Sequence, residues 1–242
     1  MTELLDIGLF VSASFAAAAV AGIAGFAFGL VAASVWLHIL TPLQTTTLIV
    51  VFGLLVQGYS VWRLRHALRF ERLWPFVLGG VLGVPFGVEL LRLIDPAQAR
   101  RVIGVVLILF VLYSLWRPSL RVPATLGRRA DGAVGFCNGV IGGITGLAGI
   151  VVTAWCNLRA WPRDEQRTVF QPTGVAIFAM TAMWLGGRGA IDGATLELMI
   201  LGLPAILLGV WLGLRLYGKL DEAGFRKLVL ALLLVSGLAL LP

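Results

Sequence analysis

The stretch that decides the fold is residues 4–43, which reads LLDIGLFVSASFAAAAVAGIAGFAFGLVAASVWLHILTPL. It contains one acidic residue, Asp6, and neither lysine nor arginine. A helix needs about 20 apolar residues to cross a bilayer, so the stretch is about twice as long as one crossing requires. Its middle carries Gly22, Gly25 and Gly29, and glycines at this density break a helix or let two backbones touch. The stretch therefore predicts a membrane segment that is interrupted at its centre.

A second glycine-rich stretch, residues 131–158, repeats this pattern in the other half of the chain. It is too short for two full crossings and a turn, because each crossing takes about 20 residues. Paired interrupted segments in the two halves of a membrane chain are the best sequence indication of a transport site. Together the two stretches predict a transporter.

Composition also indicates a membrane protein. Hydrophobic residues make up 59% of the chain and charged residues 13%, and the mean hydropathy is +0.96. A soluble helical protein would need polar helix faces, which this sequence lacks. The net charge of +7 comes mostly from loop arginines, which orient a chain in the membrane and contact its lipids. We expect one integral membrane domain over residues 1–242, in contact with the lipid bilayer and without a nucleic-acid partner.

Apolar runs predict full crossings near residues 45–62, 74–91, 101–116, 168–186, 196–214 and 226–241. With the two interrupted stretches, this gives about eight membrane segments in an all-α polytopic protein. Eight full crossings would divide the 19 Lys and Arg residues 9 to 10 between the two faces, against the positive-inside rule. If the second interrupted stretch enters and leaves on one side, 15 of the 19 share a face. The charges therefore predict a re-entrant hairpin there, cytoplasmic basic loops and both termini outside.

The first interrupted stretch cannot be assigned by charge, since neither of its ends carries Lys or Arg. Its likeness to the second stretch favours a hairpin, and a spanning helix is the alternative. The halves also align downstream without gaps, and the matched series are Gly83, Val84, Gly87, Leu90, Asp95, Ala97 and Arg100 with Gly209, Val210, Gly213, Leu216, Asp221, Ala223 and Arg226. The sequence predicts two inverted repeats, about 4–117 and 131–241, each with an interrupted segment followed by three transmembrane helices.

The substrate site is expected where the two interruptions meet near the middle of the membrane. Half-helices that start there direct unsatisfied N–H groups and positive dipole ends to one place, which favours an anion. The alternative is that these glycines only pack helices together. The candidate substrate-binding residues are Gly25, Phe26, Gly29, Gln44, Thr46, Asn138, Gly143, Thr145, Gly146, Gly149, Arg167 and Gln171.

Other chemistry has little support in the sequence. There is no spacing typical of a metal site, no phosphate-binding loop and no recognisable catalytic set. Cys137 and Cys156 are interpreted as small buried apolar residues, because nothing near them in sequence would lower a thiol pKa. We expect neither enzymatic activity nor a cofactor or metal.

Two motifs carry a resemblance to a known family. Residues 142–149 (GGITGLAG), followed by 161–168 (WPRDEQRT), resemble the second-repeat signature of the TauE/SafE sulfite-exporter family. Residues 22–30 (GIAGFAFGL), with Pro42 beyond them, are similar to its first-repeat signature. The resemblance covers essentially the whole chain. It implies a multi-pass protein of the inner membrane that moves sulfite or an organosulfonate, usually outward.

The chain departs from the family pattern at one place. Many members have prolines directly after the second glycine-rich turn, where this chain has Ile150 and Val151. An uptake permease or a channel for another small anion, a cation or a neutral solute is the main alternative. A channel for cations would place carbonyl oxygens or carboxylates at the interruptions. A receptor or scaffold is a further alternative, and the sequence leaves open whether the chain forms a homodimer.

Overall fold

The computed structural model describes residues 2–24, 27–68, 70–116, 126–216 and 222–241. Within these ranges the chain is all-helical, as predicted, and one 3-10 turn accompanies the α-helices. The α-helices are α1 Thr2–Ala24, α2 Phe28–Ile39, α3 Pro42–Leu64, α4 Phe70–Leu93, α5 Pro96–Trp116, α6 Gly127–Thr145, α7 Ile150–Leu158, α8 Arg163–Gly187, α9 Gly193–Leu216 and α10 Glu222–Ala239.

Six helices of the described ranges are long and apolar enough to cross a membrane, namely α1, α3, α4, α5, α8 and α9. Five of them coincide with predicted crossings. The sixth predicted crossing falls in α10, whose apolar part, Val229–Ala239, is shorter. The additional helix is α1, the first part of the first interrupted stretch, and its apolar run Leu4–Ile23 suffices for a crossing by itself.

Side-chain caps fix where several helices begin. The Asp95 carboxylate accepts a hydrogen bond from the Gln98 backbone N–H at 2.9 Å and so caps the start of α5. Asp192 caps α9 by accepting from the Thr195 backbone N–H at 2.8 Å. Hydrogen bonds from Thr195 hold the pKa of Asp192 below its usual value. Asp221, the predicted equivalent of Asp95, lies outside the described residues.

Both interrupted stretches turn back on themselves. In the first, Trp36 of α2 stacks on Phe10 of α1 with ring centroids 5.1 Å apart. In the second, the Trp155 indole N–H of α7 donates to the Asp131 carboxylate of α6 at 2.8 Å. Each short helix therefore runs back along the longer helix before it. With 12 residues in α2 and 9 in α7, both are shorter than the roughly 20 residues of a full crossing.

Glycines bring α4 into backbone contact with α6. A Cβ added at Gly83 would collide with the Phe136 carbonyl oxygen, and one added at Gly87 would collide with that of Val140. Because the later glycine meets the later residue, the two helices run parallel. The backbones can approach this closely because glycine has no side chain.

The helix α9 contacts α1 in the same manner. A Cβ at Gly209 would collide with the Phe15 carbonyl oxygen, and one at Gly213 would collide with that of Ala19. These two glycines are the ones that the alignment of the halves pairs with the two on α4. Phe15 of α1 therefore corresponds in position to Phe136 of α6, and the remaining residues of the two helices correspond by counting from this pair.

Candidate functional site at the two helix breaks

A small cavity lies where the two helix breaks meet. It measures about 50 Å³, and residues 27–30 of the first break and 146–150 of the second both line it. Because one water molecule needs roughly 10–15 Å³ of such space, the cavity can hold a few waters or one small ion. The remaining lining side chains are Gln57, Phe110, Thr153, Phe170 and Phe178.

The N-terminus of α2 opens onto this cavity without a side-chain cap. The N-cap residue is Ala27, which has no oxygen on its side chain and adopts a left-handed backbone with φ 76°. The first hydrogen bond of the helix runs from the Val31 N–H to the Ala27 carbonyl at 3.1 Å. The N–H groups of Phe28, Gly29 and Leu30 precede that bond and have no acceptor within the helix. These donors and the positive end of the helix dipole favour an anion.

The N-terminus of α7, in contrast, is capped from within its own hairpin. The Asn138 side-chain oxygen accepts hydrogen bonds from the Gly149 N–H at 3.1 Å and from the Val151 N–H at 3.2 Å. Asn138 is fully buried. Its Nδ2 group has no hydrogen-bond partner within the part of the chain that the structure describes. Two backbone donors of the second break are thus engaged, and one side-chain amide donor is left over.

Three of the candidate glycines line the cavity. Gly146 ends α6 with φ 70° and Gly149 precedes α7 with φ 139°, and both values favour glycine. A Cβ added at Gly29 would lie 2.8 Å from Ile49 Cγ2, and one added at Gly146 would lie 2.9 Å from the same atom. A Cβ at Gly149 would meet nothing within 4 Å. Close backbone approach at the first two positions keeps the cavity small.

A family model described as sulfite exporter TauE/SafE matches residues 10–240 of this sequence. The chain belongs to the TauE/SafE family. A search of curated proteins and a search of solved structures return no significant match. The family is one of membrane transporters, and the six apolar helices agree with an integral, multi-pass protein. The resemblance seen in the two glycine-rich motifs is therefore confirmed.

Two threonines of this TauE/SafE protein hold the end of α6. The Thr145 hydroxyl donates to the Ile141 carbonyl at 2.7 Å and accepts from the Leu147 N–H at 3.0 Å. The Thr46 hydroxyl donates to the Ile144 carbonyl at 3.1 Å. Thr145 was expected to offer a donor to the substrate, but in this conformation its hydroxyl hydrogen is already engaged.

Two other candidates have contacts that assign them a structural role. A Cβ added at Gly143 would lie 2.8 Å from the Val84 carbonyl oxygen, so this glycine packs α6 against α4. Gln44 forms a capping box with Thr41 at the start of α3, because each backbone N–H donates to the other's side chain at 3.2 Å. The site proposed below leaves out both residues.

Two of the last four candidates are described, and neither of them lines the cavity. Arg167 and Gln171 lie on α8, and Gln171 is buried there. Neither belongs to the lining of the cavity. Gly25 and Phe26 lie outside the described residues, so their candidacy stays a prediction.

Gln57 is a polar lining residue that sequence reasoning missed. Its side-chain oxygen lies 3.1 Å from where a Cβ at Gly174 would be, so it reaches across to α8. An amide in an apolar run was a usable signal, because polar groups in membrane helices face protein or a cavity. The lining phenylalanines Phe110, Phe170 and Phe178 carried no such signal, since the chain contains 13 phenylalanines.

A buried ion pair fastens the far end of α7. The Arg159 guanidinium lies 3.0 Å from the Asp131 carboxylate, and about nine tenths of each side chain is buried. The same guanidinium lies over the Trp155 ring, 5.2 Å from its centroid. Since Trp155 also donates to Asp131, these three side chains hold α7 against the beginning of α6.

Proposed function

We propose that this TauE/SafE protein exports a small sulfur oxyanion, sulfite or an organosulfonate, through the cavity between its helix breaks. The observation that carries the proposal is the uncapped N-terminus of α2 at a cavity of about 50 Å³. The family description points to sulfite, and the backbone donors point to an anion. The proposed binding residues are Gly29, Gly146 and Gly149, with Gln57 and Thr153 as polar neighbours.

The end of α6 argues against a cation in this cavity. A cation site would need free carbonyl oxygens there. The carbonyls of Ile141, Gly142 and Ile144 already accept hydrogen bonds at 2.7, 2.8 and 3.1 Å. Three carbonyls at the end of α6 are thus engaged, whereas the first N–H groups of α2 have no acceptor among the described residues. This difference supports an anionic substrate over the alternatives of a cation or a neutral solute.

The membrane potential supports the outward direction. An inside-negative potential of ~100 mV favours exit of an anion by about 2.3 kcal/mol per charge. Among the described residues that line the cavity, none carries a charged side chain that would bind a coupling proton. Uniport driven by the potential and by the substrate gradient is therefore sufficient for export.

The architecture that we propose around this site consists of two inverted repeats, each with one re-entrant segment. The turn-back of α2 on α1 and of α7 on α6 supports two re-entrant segments. The matched glycine contacts of α4 with α6 and of α9 with α1 support the repeats. In this arrangement the protein lies in the inner membrane of the cell, and its basic loops face the cytoplasm. Cysteine labelling tests this orientation. We expect a membrane-impermeant thiol reagent added outside to label Asp192→Cys, and we expect Asp164→Cys to be labelled only from inside.

Transport of labelled sulfite tests the function directly. We expect proteoliposomes that contain the purified protein to move sulfite or a simple sulfonate, and to move it faster when the potential is negative on the substrate side. The matched control is Gly8→Leu, because a Cβ at Gly8 meets nothing within 4 Å and the site is elsewhere. Folded protein that moves none of these anions in either direction would contradict the proposal.

A further inference from the structure

A second and larger depression lies on the outer surface of the pair α4 and α6. It is a groove of about 420 Å³, separate from the cavity at the breaks. Its flanks include Leu78 and Leu82, which are exposed by 53% and 57%. The described residues that line it are Trp74, Pro75, Leu78, Gly79, Leu82, Arg128, Arg129, Gly132, Ala133 and Phe136. The groove is therefore apolar along its length and basic at one end.

Two glycines form the floor of this groove. A Cβ at Gly79 would collide with the Gly132 carbonyl oxygen, so the two backbones touch there. A Cβ at Gly132 would meet only the Pro75 oxygen, at 3.8 Å, and would otherwise project into the groove. From Trp74 to Leu82 the groove is about 12 Å long, given a rise of 1.5 Å per residue. One leaflet of the hydrocarbon core is about 15 Å deep, so this length suits one acyl chain.

The basic end of the groove lies where a lipid headgroup would be. Arg128 and Arg129 are exposed at the first turn of α6, and Trp74 lies near the first turn of α4. Among the described residues no ion pair involves either arginine. Asp131, the nearest acid in sequence, is already held by Arg159. The two guanidinium groups are thus available to a phosphate, which arginine binds well.

The related helix pair α1 and α9 offers an internal comparison. Phe136 of α6 corresponds to Phe15 of α1, and counting back four residues from each pairs Gly132 with Val11. In the same way, the alignment of α4 with α9 pairs Gly79 with Ala205. Side chains therefore occupy the floor that glycine leaves open on α4 and α6. The places of the two arginines are taken by Ile7 and Gly8, and neither is basic. The glycine floor and the two arginines thus occur together in one pair, and the corresponding positions of the other pair carry neither.

We propose that this groove binds an anionic phospholipid, with one acyl chain along α4 and α6 and the phosphate on Arg128 and Arg129. Basic pockets between transmembrane helices select anionic headgroups, and adjacent Trp residues mark the interface level. The apolar groove alone would accept any lipid chain. The arginine pair at its end makes the choice specific for negative charge. This binding is independent of the transported anion, because the groove and the cavity share none of the lining residues that the structure describes.

Native mass spectrometry of the purified protein with added lipids tests the proposal. We expect phosphatidylglycerol to bind more tightly than phosphatidylcholine with the same acyl chains. The double variant Arg128→Gln/Arg129→Gln should weaken phosphatidylglycerol binding about thirtyfold, which is about 2 kcal/mol for two basic residues. Phosphatidylcholine binding should change little.

The control is Arg101→Gln/Arg215→Gln, which removes the same charge from exposed residues outside the groove. Equal loss in the control pair, or no loss in the groove pair, would overturn the proposal. Gly132→Leu should fill the groove and weaken binding of both lipids. If this variant does not fold, the double variant Arg128→Gln/Arg129→Gln still tests the proposal. The wild-type protein could instead form a dimer that Gly132→Leu abolishes and show no preference between the two lipids. That result would mean that a second copy of the chain occupies the groove, and it would overturn the lipid assignment.

Discussion

The two helix breaks are alike in position but differ in how their short helices begin. The helix α7 is capped by the Asn138 side chain, which binds the N–H groups of Gly149 and Val151. The helix α2 begins at Ala27 without a side-chain cap. Counted from the matched phenylalanines, the place of Asn138 is taken in α1 by Ala17, which is also fully buried.

This difference divides the work between the halves. The second break is closed by its own amide, so it acts as a rigid frame around the cavity. At the first break the N–H groups that begin α2 have no acceptor among the described residues, so in our proposal this is the side that gains most from a bound anion. A site of this kind can hold a small anion without a charged side chain, and a neutral site also releases its ligand more readily. The predictions below test whether the capped second break mainly stabilises the fold and the uncapped first break mainly binds the anion.

Asn138→Leu should have the largest effect on the fold. It leaves two part-buried N–H groups without an acceptor, and an unsatisfied donor costs about 1–3 kcal/mol. We expect the free energy of unfolding to fall by about 3 kcal/mol and transport to be lost. Chemical unfolding in detergent, followed by a transport assay, measures both.

The informative companion is Asn138→Asp, which keeps the acceptor oxygen but adds a negative charge near the site. It should retain most of the stability while anion transport falls. If Asn138→Leu is as stable as the wild type, Asn138 does not act as a frame residue.

Gly29→Leu should abolish transport with a smaller effect on the fold. A Cβ there would lie 2.8 Å from Ile49 Cγ2 and 3.0 Å from Leu147 Cδ2. A leucine side chain must therefore displace Leu147, which lines the cavity beside the first N–H groups of α2. Gly146→Leu crowds the same Ile49 side chain from the other break, and it also imposes a positive φ on leucine, so it should destabilise more. Anion binding and flux, compared with Gly8→Leu, measure the effect. Normal flux in folded Gly29→Leu protein would remove the cavity from the pathway.

Thr145→Val tests whether the Thr145 hydroxyl donates to the substrate or only stabilises the end of α6. Because this hydroxyl already bonds the Ile141 carbonyl and the Leu147 N–H, its loss should lower the free energy of unfolding by about 1 kcal/mol. Anion affinity should change less than twofold. A tenfold loss of affinity at unchanged stability would instead restore Thr145 to the binding site.

Ala27→Gly should have the smallest effect. The left-handed φ of Ala27 costs about 1–2 kcal/mol, and glycine adopts it freely. The gain is partly offset by the larger entropy of unfolded glycine, about 0.4–1 kcal/mol. We expect a rise of about 0.5 kcal/mol in the free energy of unfolding, with transport retained. A fall in stability would mean that the Ala27 methyl group packs in a way that outweighs its backbone strain.

Much of the fold could be predicted because it depends on local properties of the chain. Apolar runs give the crossings, since their length must match the bilayer. The glycines of α4 and α9 could be paired in advance because their spacing is identical. The Asp95 cap is local in the same way, because its partner Gln98 lies only three residues further along the chain. The first interrupted stretch was harder, because no charge marks its ends.

The candidate site was only partly predictable, because the way neighbouring helices pack decides whether a residue faces the cavity or another helix. Gly143 and Gly146 lie three residues apart, yet Gly143 packs on α4 while Gly146 lines the cavity. Their sequence context is the same and their partners are not. Gln57 belongs to the lining although it is far in sequence from both breaks.

The sequence by itself determined that this chain is a helical membrane protein of the TauE/SafE family with two interrupted segments. Hydropathy and glycine spacing carry that information because they act within one segment and its bilayer. Only the tertiary structure decided which break is capped and which is open. That choice depends on Asn138 reaching back across its hairpin to Gly149 and on Ala27 having no side-chain oxygen to do the same. Such contacts exist only once the helices have packed.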